Sequence, residues 1–320
     1  MRRRLPLLLA LLIVAACGDE GAGTTTTSLT PTTLASTTTT TIEATTTTTT
    51  PSTTTTEETT TTVTEVEGNW ADEPLVVSKF GALGWWDGAN WIQVDELTVL
   101  PISGGEDYKV VLFGSDEIVT GGPETTLCEP LFNTGVELGD PDALGEGWPG
   151  LTGIAISAPW ELTPHFVQLE DDEDGTYSDF ARPLLASRGL DVDDPVIKQV
   201  VRFDLEGDGI NEVVAVAESV ADEGSLFAQE GDYSLVFMRR VVEGEVQTAI
   251  LGESIVTELE EFETPFILTH AVAAIADLSG DGKMEIVLDE VYYEGQGWTV
   301  WEYVNDDLGP VLQIGSGCGV

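Results

Sequence analysis

Residues 196–218 read V-I-K-Q-V-V-R-F-D-L-E-G-D-G-I-N-E-V-V-A-V-A-E, and their pattern indicates the fold class. A run rich in β-branched residues leads into an acidic loop that contains two glycines, and a second apolar run leads out of it. Short runs of this composition, bounded by Gly and Asp, are typical of β-strands. The stretch therefore predicts two strands joined by the nine-residue loop Asp204–Glu212.

The same unit occurs again 73 residues further along the chain, where Asp277–Glu285 read D-L-S-G-D-G-K-M-E. Six of the nine loop positions are identical in the two copies, and apolar residues again flank the loop on both sides. A repeated strand–loop–strand unit is typical of architectures that stack similar sheets, such as propellers. We therefore expect the two loops to occupy equivalent places in two similar sheets.

Both loops place oxygen-bearing groups at alternate positions. The first offers the side chains of Asp204, Glu206, Asp208 and Glu212 at positions one, three, five and nine, and the Ile210 carbonyl at position seven. The equivalent groups of the second loop are Asp277, Ser279, Asp281, the Lys283 carbonyl and Glu285. Calcium prefers about six to eight oxygen ligands, and glycine at position six permits the sharp turn that the loop requires. We predict one structural Ca²⁺ in each loop; two acidic turns without metal are the alternative.

The spacing excludes one common class of calcium site. An EF-hand needs an acidic ligand at position twelve and flanking helices. Position twelve is Ala215 in one copy and Leu288 in the other, and strand-forming residues follow both loops. The loops are therefore predicted to lie between strands.

The pattern resembles the calcium loops of FG-GAP and VCBS-type repeats, as in the propellers of integrin α-subunits, which read D-x-[D/N]-x-D-G-x-x-[D/E] between strands. Glu206 and Ser279 depart from that pattern at position three, and the resemblance covers about 20 residues around each loop. It implies a calcium-stabilised β scaffold that binds a partner and does not itself catalyse a reaction.

The net charge limits the classes of partner. The chain has 57 acidic and 12 basic residues, which gives a formal net charge of −45. Proteins that bind nucleic acid neutralise its phosphates with Lys and Arg, and anionic lipid surfaces attract the same residues. The composition therefore excludes nucleic acid as a plausible partner, and it favours divalent cations.

The first 17 residues are typical of an export signal. Three arginines, Arg2 to Arg4, precede an apolar run from Leu5 to Ala16 that is too short to span a bilayer. The ending V-A-A-C resembles the lipobox of bacterial lipoproteins, which implies cleavage before Cys17 and attachment of lipid to that residue. An ordinary secretory signal with a chance cysteine and a short N-terminal anchor are the alternatives. The expected location is the outer face of the bacterial cell membrane, with the domain outside the cell.

Residues 18–69 are predicted to form a disordered linker. From Thr24 to Thr64, 27 of 41 residues are threonine, and so few apolar side chains cannot offset the entropy cost of ordering the chain. Such Thr-rich stretches with proline resemble stalks that carry O-linked glycans. The segment would hold the domain away from the membrane.

Residues 70–320 are predicted to form one β-rich domain, mainly antiparallel and propeller-like or a partial propeller, with one short helix. Ser178 is the predicted helix cap, Gly189 the predicted end, and Pro183 indicates a short element. Residues 242–246 are expected to form a hairpin turn. The strand-like runs are Leu75–Phe80, Trp91–Leu100, Tyr108–Phe113, Gly153–Ser157, Val196–Phe203, Glu212–Ala217, Tyr233–Val242, Val246–Leu251, Phe266–Ala276, Glu285–Tyr293 and Trp298–Val304.

Two cysteines, Cys128 and Cys318, lie within this domain. An even number of cysteines in an exported domain is consistent with one disulfide. Two separate buried thiols are the alternative.

Two other groups of residues are candidate sites. The acidic run Glu170–Gly175 could hold a third cation, although a solvated loop is the simpler interpretation. Trp85, Trp86 and Trp91 could stack on a sugar, although burial in the core is the simpler interpretation for them and for two further tryptophans, Trp298 and Trp301.

No sequence motif of a known catalytic class is present. The histidines His165 and His270 lie far apart in sequence and belong to no catalytic motif, so structural roles are expected for both. The sequence therefore favours a surface-anchored, calcium-stabilised binding module for a protein or polysaccharide, with no catalytic residues. A secreted hydrolase on a propeller-like scaffold and a purely structural envelope protein are the alternatives.

Overall fold

The computed structural model describes residues 67–95, 98–113, 117–127, 133–140, 142–145, 152–221, 227–259, 266–292, 295–304 and 307–316. All of these residues fall within the unit Thr60–Val320, and the other unit, Met1–Thr59, lies outside the described residues. Cys17, Cys128 and Cys318 also lie outside them, so the signal segment, the lipid anchor, the linker and the disulfide stay predictions. Asn69 exchanges hydrogen bonds with Asp107, one residue before the predicted start of the domain.

The first seven strands form one antiparallel sheet, here called sheet 1. Its strands are β1 (Leu75–Ser78), β2 (Gly81–Trp86), β3 (Trp91–Gln93), β4 (Asp107–Val111), β5 (Ile118–Leu127), β6 (Asn133–Leu138) and β7 (Ile154–Ile156). The spatial order is β3-β2-β1-β7-β4-β5-β6. β7 pairs with both β1 and β4, and it therefore joins the two halves of the sheet.

The remaining strands form two meanders, in which neighbours in sequence are neighbours in space. Sheet 2 contains β8 (Val167–Glu170), β9 (Ile197–Phe203), β10 (Glu212–Ser219), β11 (Tyr233–Val242) and β12 (Glu245–Ile255). Sheet 3 contains β13 (Thr269–Ala276), β14 (Glu285–Tyr292), β15 (Gly295–Val304) and β16 (Asp307–Ser316). Four-stranded meanders of this kind are the units from which propeller blades are built.

The strand–loop–strand repeat seen in the sequence begins two similar four-stranded meanders, β9–β12 of sheet 2 and β13–β16 of sheet 3. The acidic loop connects the first two strands of the β9–β12 meander, and its copy connects the first two strands of β13–β16. Strand pairing closes both loops in the same way, because Phe203 pairs with Glu212 and Ala276 pairs with Glu285. The prediction of a mainly antiparallel β fold, propeller-like in part and with one short helix, is confirmed.

The three sheets stack in layers with sheet 3 in the middle. Val287 and Trp298 of sheet 3 pack with residues of sheet 1, whereas Ile286 and Leu288 pack with residues of sheet 2. Alternate residues of a strand point to opposite faces, so the apolar run Ile286–Leu288 gives β14 a hydrophobic surface on both sides. Both of its faces are therefore buried.

The helix α1 (Thr176–Ala186) covers the outer face of sheet 2. Its buried residues Ala181 and Leu185 pack against sheet 2. The prediction that Ser178 caps the helix is wrong, because Ser178 lies inside the first turn and its N–H, like that of Tyr177, donates to the Asp172 carboxylate. Gly189, with a φ of 89°, ends the turn that follows the helix, as predicted.

The predicted hairpin turn is present between β11 and β12. Val242 pairs with Glu245, and the two residues between them, Glu243 and Gly244, have φ values of 53° and 83°. Positive φ at both central positions defines a type I′ turn, which matches the twist of a two-stranded ribbon.

Candidate metal centre

The first acidic loop is organised around the carboxylate at position one. Asp204 Oδ1 accepts hydrogen bonds from the N–H groups of Gly207 (2.8 Å) and Asp208 (3.1 Å), and Oδ2 accepts one from Gly209 (3.0 Å). The Glu212 carboxylate accepts a hydrogen bond from Leu205 N–H at 3.0 Å. The carboxylates at positions one and nine therefore hold the loop closed from both ends.

The second loop repeats these bonds at equivalent positions. Asp277 Oδ1 accepts the N–H of Gly280 (2.6 Å), and Oδ2 accepts that of Gly282 (3.0 Å). Glu285 accepts the N–H of Leu278 at 2.6 Å. In both loops, moreover, the aspartate at position five accepts the N–H of position seven, which joins Asp208 to Ile210 and Asp281 to Lys283.

The carboxylates at positions one and nine are buried in both loops, with exposed fractions of 9% and 8% for Asp204 and Glu212 and of 4% and 1% for Asp277 and Glu285. Burial raises the pKa of Glu212 to about 7 and that of Asp277 to about 6, and the pKa of Glu285 lies well above its ordinary value for the same reason. Neighbouring carboxylates of each loop add to the rise. The fold thus concentrates negative charge where water is largely excluded, which costs free energy unless a cation is near.

One side chain of the second loop tests whether the residues fit a metal ion. Ser279, at position three, is buried, and its Oγ has no hydrogen-bond partner among the described residues. A buried hydroxyl without a partner is unusual, and a hydroxyl oxygen is a donor that calcium accepts. Carboxylate oxygens that already accept an N–H keep further lone pairs for an ion. The residues present therefore fit calcium.

The side chains themselves are not gathered into a closed cage. Among the described residues, no group of three or more His, Cys, Asp or Glu side chains lies close enough to hold a metal ion. Glu206, predicted as a ligand, instead pairs with Lys283 of the other loop at 3.5 Å. The carbonyls of Ile210 and Lys283 were also predicted as ligands. The structure shows their N–H groups bonded to the aspartate at position five of each loop. Calcium binding accordingly stays a prediction.

The two loops lie side by side. Met284 N–H, from the end of the second loop, donates to the Leu205 carbonyl of the first at 3.0 Å. Both residues are buried in the core between sheets 2 and 3. Together with the Lys283–Glu206 ion pair, this contact makes the two loops one structural unit.

A segment between sheets 1 and 2, Trp160–Phe166, crosses both loops, and we call it the bridging segment. The Leu162 carbonyl accepts Asp277 N–H at 2.7 Å, and the Phe166 carbonyl accepts Asp204 N–H at 2.9 Å. Trp160 Nε1 donates to the Asp277 carbonyl at 2.9 Å. The first residue of each loop is thus fixed by the same segment.

His165 belongs to this segment and contacts both loops. Its Nε2 lies 2.8 Å from the Gly282 carbonyl, and its ring lies so close to Gly207 that a Cβ there would be 2.3 Å from Cε1. This arrangement could not be predicted, because a histidine outside any motif carries no information about its contacts.

We expect Gly207→Ala to destabilise the domain by about 2–3 kcal/mol and Gly209→Ala by only about 1 kcal/mol. Both glycines have positive φ, of 73° and 82°, so alanine is strained at either position. The space around Gly209 is open, whereas a Cβ at Gly207 would displace His165 and break its bond to the Gly282 carbonyl. Urea unfolding of both variants measures the difference, and equal losses would contradict the close packing of His165 on the loop.

The acidic run Glu170–Gly175 has structural partners. Glu170 pairs with Arg202 at 2.7 Å. Asp172 and Asp174 accept N–H groups from the first turn of α1, and anions at this end of a helix are stabilised by its dipole. Three of the acidic side chains are therefore explained by helix capping and ion pairing.

The tryptophans are mostly packed within the fold. Trp298 is buried in the core between sheets 1 and 3, and Trp85 is buried on the other face of sheet 1. The rings of Trp86 and Trp91 lie 5.6 Å apart near the surface, and Trp91 Nε1 donates to Glu302 at 3.0 Å. Trp301 packs beside the core between sheets 2 and 3.

His270 lies in a buried polar contact between sheets 2 and 3. Its Nδ1 is 3.0 Å from Ser234 Oγ, which in turn donates to Glu218 at 2.9 Å. Ser234 is fully buried and His270 is 7% exposed. A substrate cannot reach the buried side chains of Ser234 and His270, so their role is structural.

Comparison with known proteins gives no match: none to protein-family models, to the curated proteins or to the solved structures. Within the described residues, no helix is both long enough and apolar enough to cross a bilayer.

Proposed function

We propose that this protein is a calcium-stabilised binding module, anchored by lipid at Cys17 to the outer face of a bacterial membrane. The observation that carries the calcium assignment is the equivalence of the two loops. The same carboxylate positions are buried, accept the same backbone N–H groups and sit after the first strand of two equivalent meanders. Asp204, Asp208 and Glu212 would hold one ion, and Asp277, Ser279, Asp281 and Glu285 the other.

Calcium in these loops would act on the scaffold and not on a substrate. The first loop joins β9 and β10 of sheet 2, the second joins β13 and β14 of sheet 3, and both contact the bridging segment that leads back to sheet 1. An ion would neutralise the buried carboxylates and so favour the folded arrangement of all three sheets. The position of the loops therefore supports a structural role for the metal.

The resemblance to FG-GAP and VCBS-type repeats supports interaction over catalysis. The Thr-rich segment that follows Cys17 would present the domain to a protein or polysaccharide outside the cell. A glycan array probed with the fluorescently labelled, calcium-loaded domain tests the polysaccharide class directly.

Removal of calcium is expected to lower the melting temperature by a few degrees. Calcium sites of extracellular modules have Kd values of about 0.1–1 mM, so each site contributes roughly 0.4–1.4 kcal/mol at about 1 mM calcium. For a domain of this size, that corresponds to roughly 2–8 °C for both sites together. Thermal melts in calcium and in EDTA measure the difference.

Asp208→Ala and Asp281→Ala should each abolish the part of the calcium-dependent difference in melting temperature that comes from one loop. The double variant should melt at the same temperature in calcium and in EDTA. Asp191→Ala, at an exposed position outside the loops, is the control and should keep the full difference. The readout is the effect of EDTA on each variant, so a loss of stability common to both buffers does not affect it. A wild-type melt that EDTA leaves unchanged would refute calcium binding.

A further inference from the structure

A cavity of about 630 Å³ lies next to the paired loops. One wall is β4 of sheet 1, a second is β13 of sheet 3 with Ala274 and Ile275, and the third is the bridging segment. Ligand pockets of small molecules have volumes of about 300–1,000 Å³. The cavity therefore has the size of a binding site for a small molecule.

The lining combines an apolar floor with a charged rim. The floor includes Val111, Leu162 and Ile275, and the rim includes the exposed carboxylates of Glu117 and Glu161. Apolar surface with a few charged groups is typical of sites that bind amphipathic ligands. The net charge of the rim side chains then determines whether a cationic or an anionic ligand is favoured.

The one lysine of the lining is already engaged by the protein. Lys109 Nζ donates to the Trp160 carbonyl at 2.5 Å and lies 4.7 Å from the centre of the Trp70 ring. The rim thus carries two carboxylates, those of Glu117 and Glu161, and one ammonium group, that of Lys109, which already has partners within the protein. The rim has an excess of negative charge and is complementary to a cation.

The third wall of the cavity is held in place by the loops. Leu162 and His165 line the cavity, and the same residues are bonded to Asp277 N–H and to the Gly282 carbonyl. Phe166, one residue further, is bonded to Asp204. If either loop became disordered, the bridging segment that forms the third wall of the cavity would therefore move.

We propose that this cavity binds a small organic cation with an apolar body, and that calcium in the two loops holds its third wall in the binding position. The inference rests on the proposed function, since it names the ligand class of the binding module and makes binding depend on its calcium. The ammonium or guanidinium group would lie at Glu117 and Glu161, and the apolar body on the floor formed by β4 and β13.

Isothermal titration with tryptamine tests the inference, and indole-3-propionate, which has the same ring and the opposite charge, is the matched control ligand. In calcium buffer the amine should bind saturably with one-to-one stoichiometry, and the acid should not bind. Glu161→Gln, on the exposed rim, should weaken tryptamine binding roughly fivefold, as expected for loss of one partly exposed ion pair. Glu245→Gln, an exposed residue of β12, should leave the affinity unchanged.

The same titration in EDTA tests the dependence on calcium. We expect the affinity for tryptamine to fall at least roughly tenfold, which corresponds to about 1.4 kcal/mol. Absence of saturable tryptamine binding, equal binding of the acid, or an affinity unaffected by EDTA would each overturn the inference. The thermal melt in EDTA reports independently on the metal, so the calcium sites can be confirmed while the inference about the cavity fails.

Discussion

Trp298→Ala is expected to destabilise the domain by about 3–5 kcal/mol, the range for large aromatic residues removed from a core. Trp298 is 1% exposed and lies where sheet 3 packs on sheet 1, with its ring centre 6.0 Å from that of Phe80. Because both sheets enclose this position, removal of the indole ring would leave a closed cavity that solvent cannot enter. Chemical denaturation followed by circular dichroism gives the free energy of unfolding.

Trp298→Phe is the matched control. The indole Nε1 is buried and has no hydrogen-bond partner among the described residues, so its removal leaves no unpaired group behind. We expect a loss below about 2 kcal/mol, from reduced packing alone. A loss below about 1 kcal/mol for the alanine variant would contradict the close packing of the two sheets.

The second large effect is a loss of stability in acid that depends on His270. Burial lowers the pKa of His270 to about 4 from an ordinary value of 6.5. The unfolded chain therefore takes up a proton near pH 6.5, whereas the folded protein resists protonation until about pH 4. Stability from this residue is present above the unfolded pKa and is lost as the pH falls towards 4, by about 3 kcal/mol at most.

Other buried groups act in the opposite direction, so the effect must be measured as a difference. Burial raises the pKa of Asp289 to about 6 and also raises that of Glu290, the cross-strand neighbour of His270. Unfolding free energies of the wild type and His270→Gln in EDTA, at about pH 7 and about pH 4, isolate the histidine. The wild type should lose about 3 kcal/mol more than the variant over this range, and equal losses would contradict the prediction.

The sequence predicted the repeat well because strand, loop and strand each leave a clear pattern. Glycine, aspartate and alternating acidic positions mark the loop, and runs of Val and Ile mark β9, β10 and β14. These features act through local chemistry, so they can be recognised without knowledge of the rest of the fold. The prediction of a mainly β fold followed from them.

Five strands were not predicted, and three of these contain residues that usually mark turns. β2 contains Gly84, where a Cβ would lie 2.2 Å from the Ile92 carbonyl of the adjacent strand, so glycine is needed for close approach. β5 and β16 contain Pro123 and Pro310, and both prolines lie at register shifts of the pairing. Proline and glycine are tolerated in strands at bulges. Of the other two, β6 begins in a polar stretch, Asn133–Gly135, and β8 is short, with two of its four residues exposed.

The bridging segment could not be predicted for a different reason. Two of its bonds to the loops come from backbone carbonyls, those of Leu162 and Phe166. Every residue has a carbonyl, so the sequence carries no mark of these contacts. The predicted ligands at positions one, five and nine occupy equivalent places in the two loops, whereas Glu206 at position three pairs with Lys283 of the second loop.

The middle position of sheet 3 has a consequence for how the domain reaches its native state. Sheet 3 is made by β13–β16, which follow all strands of the two outer sheets in the chain. Until these strands arrive, sheets 1 and 2 each have an apolar face without a partner, and contacts between segments far apart in sequence form slowly. Folding is therefore completed only after β16 has emerged, so the domain gains its stability late and depends until then on protection from aggregation and proteolysis.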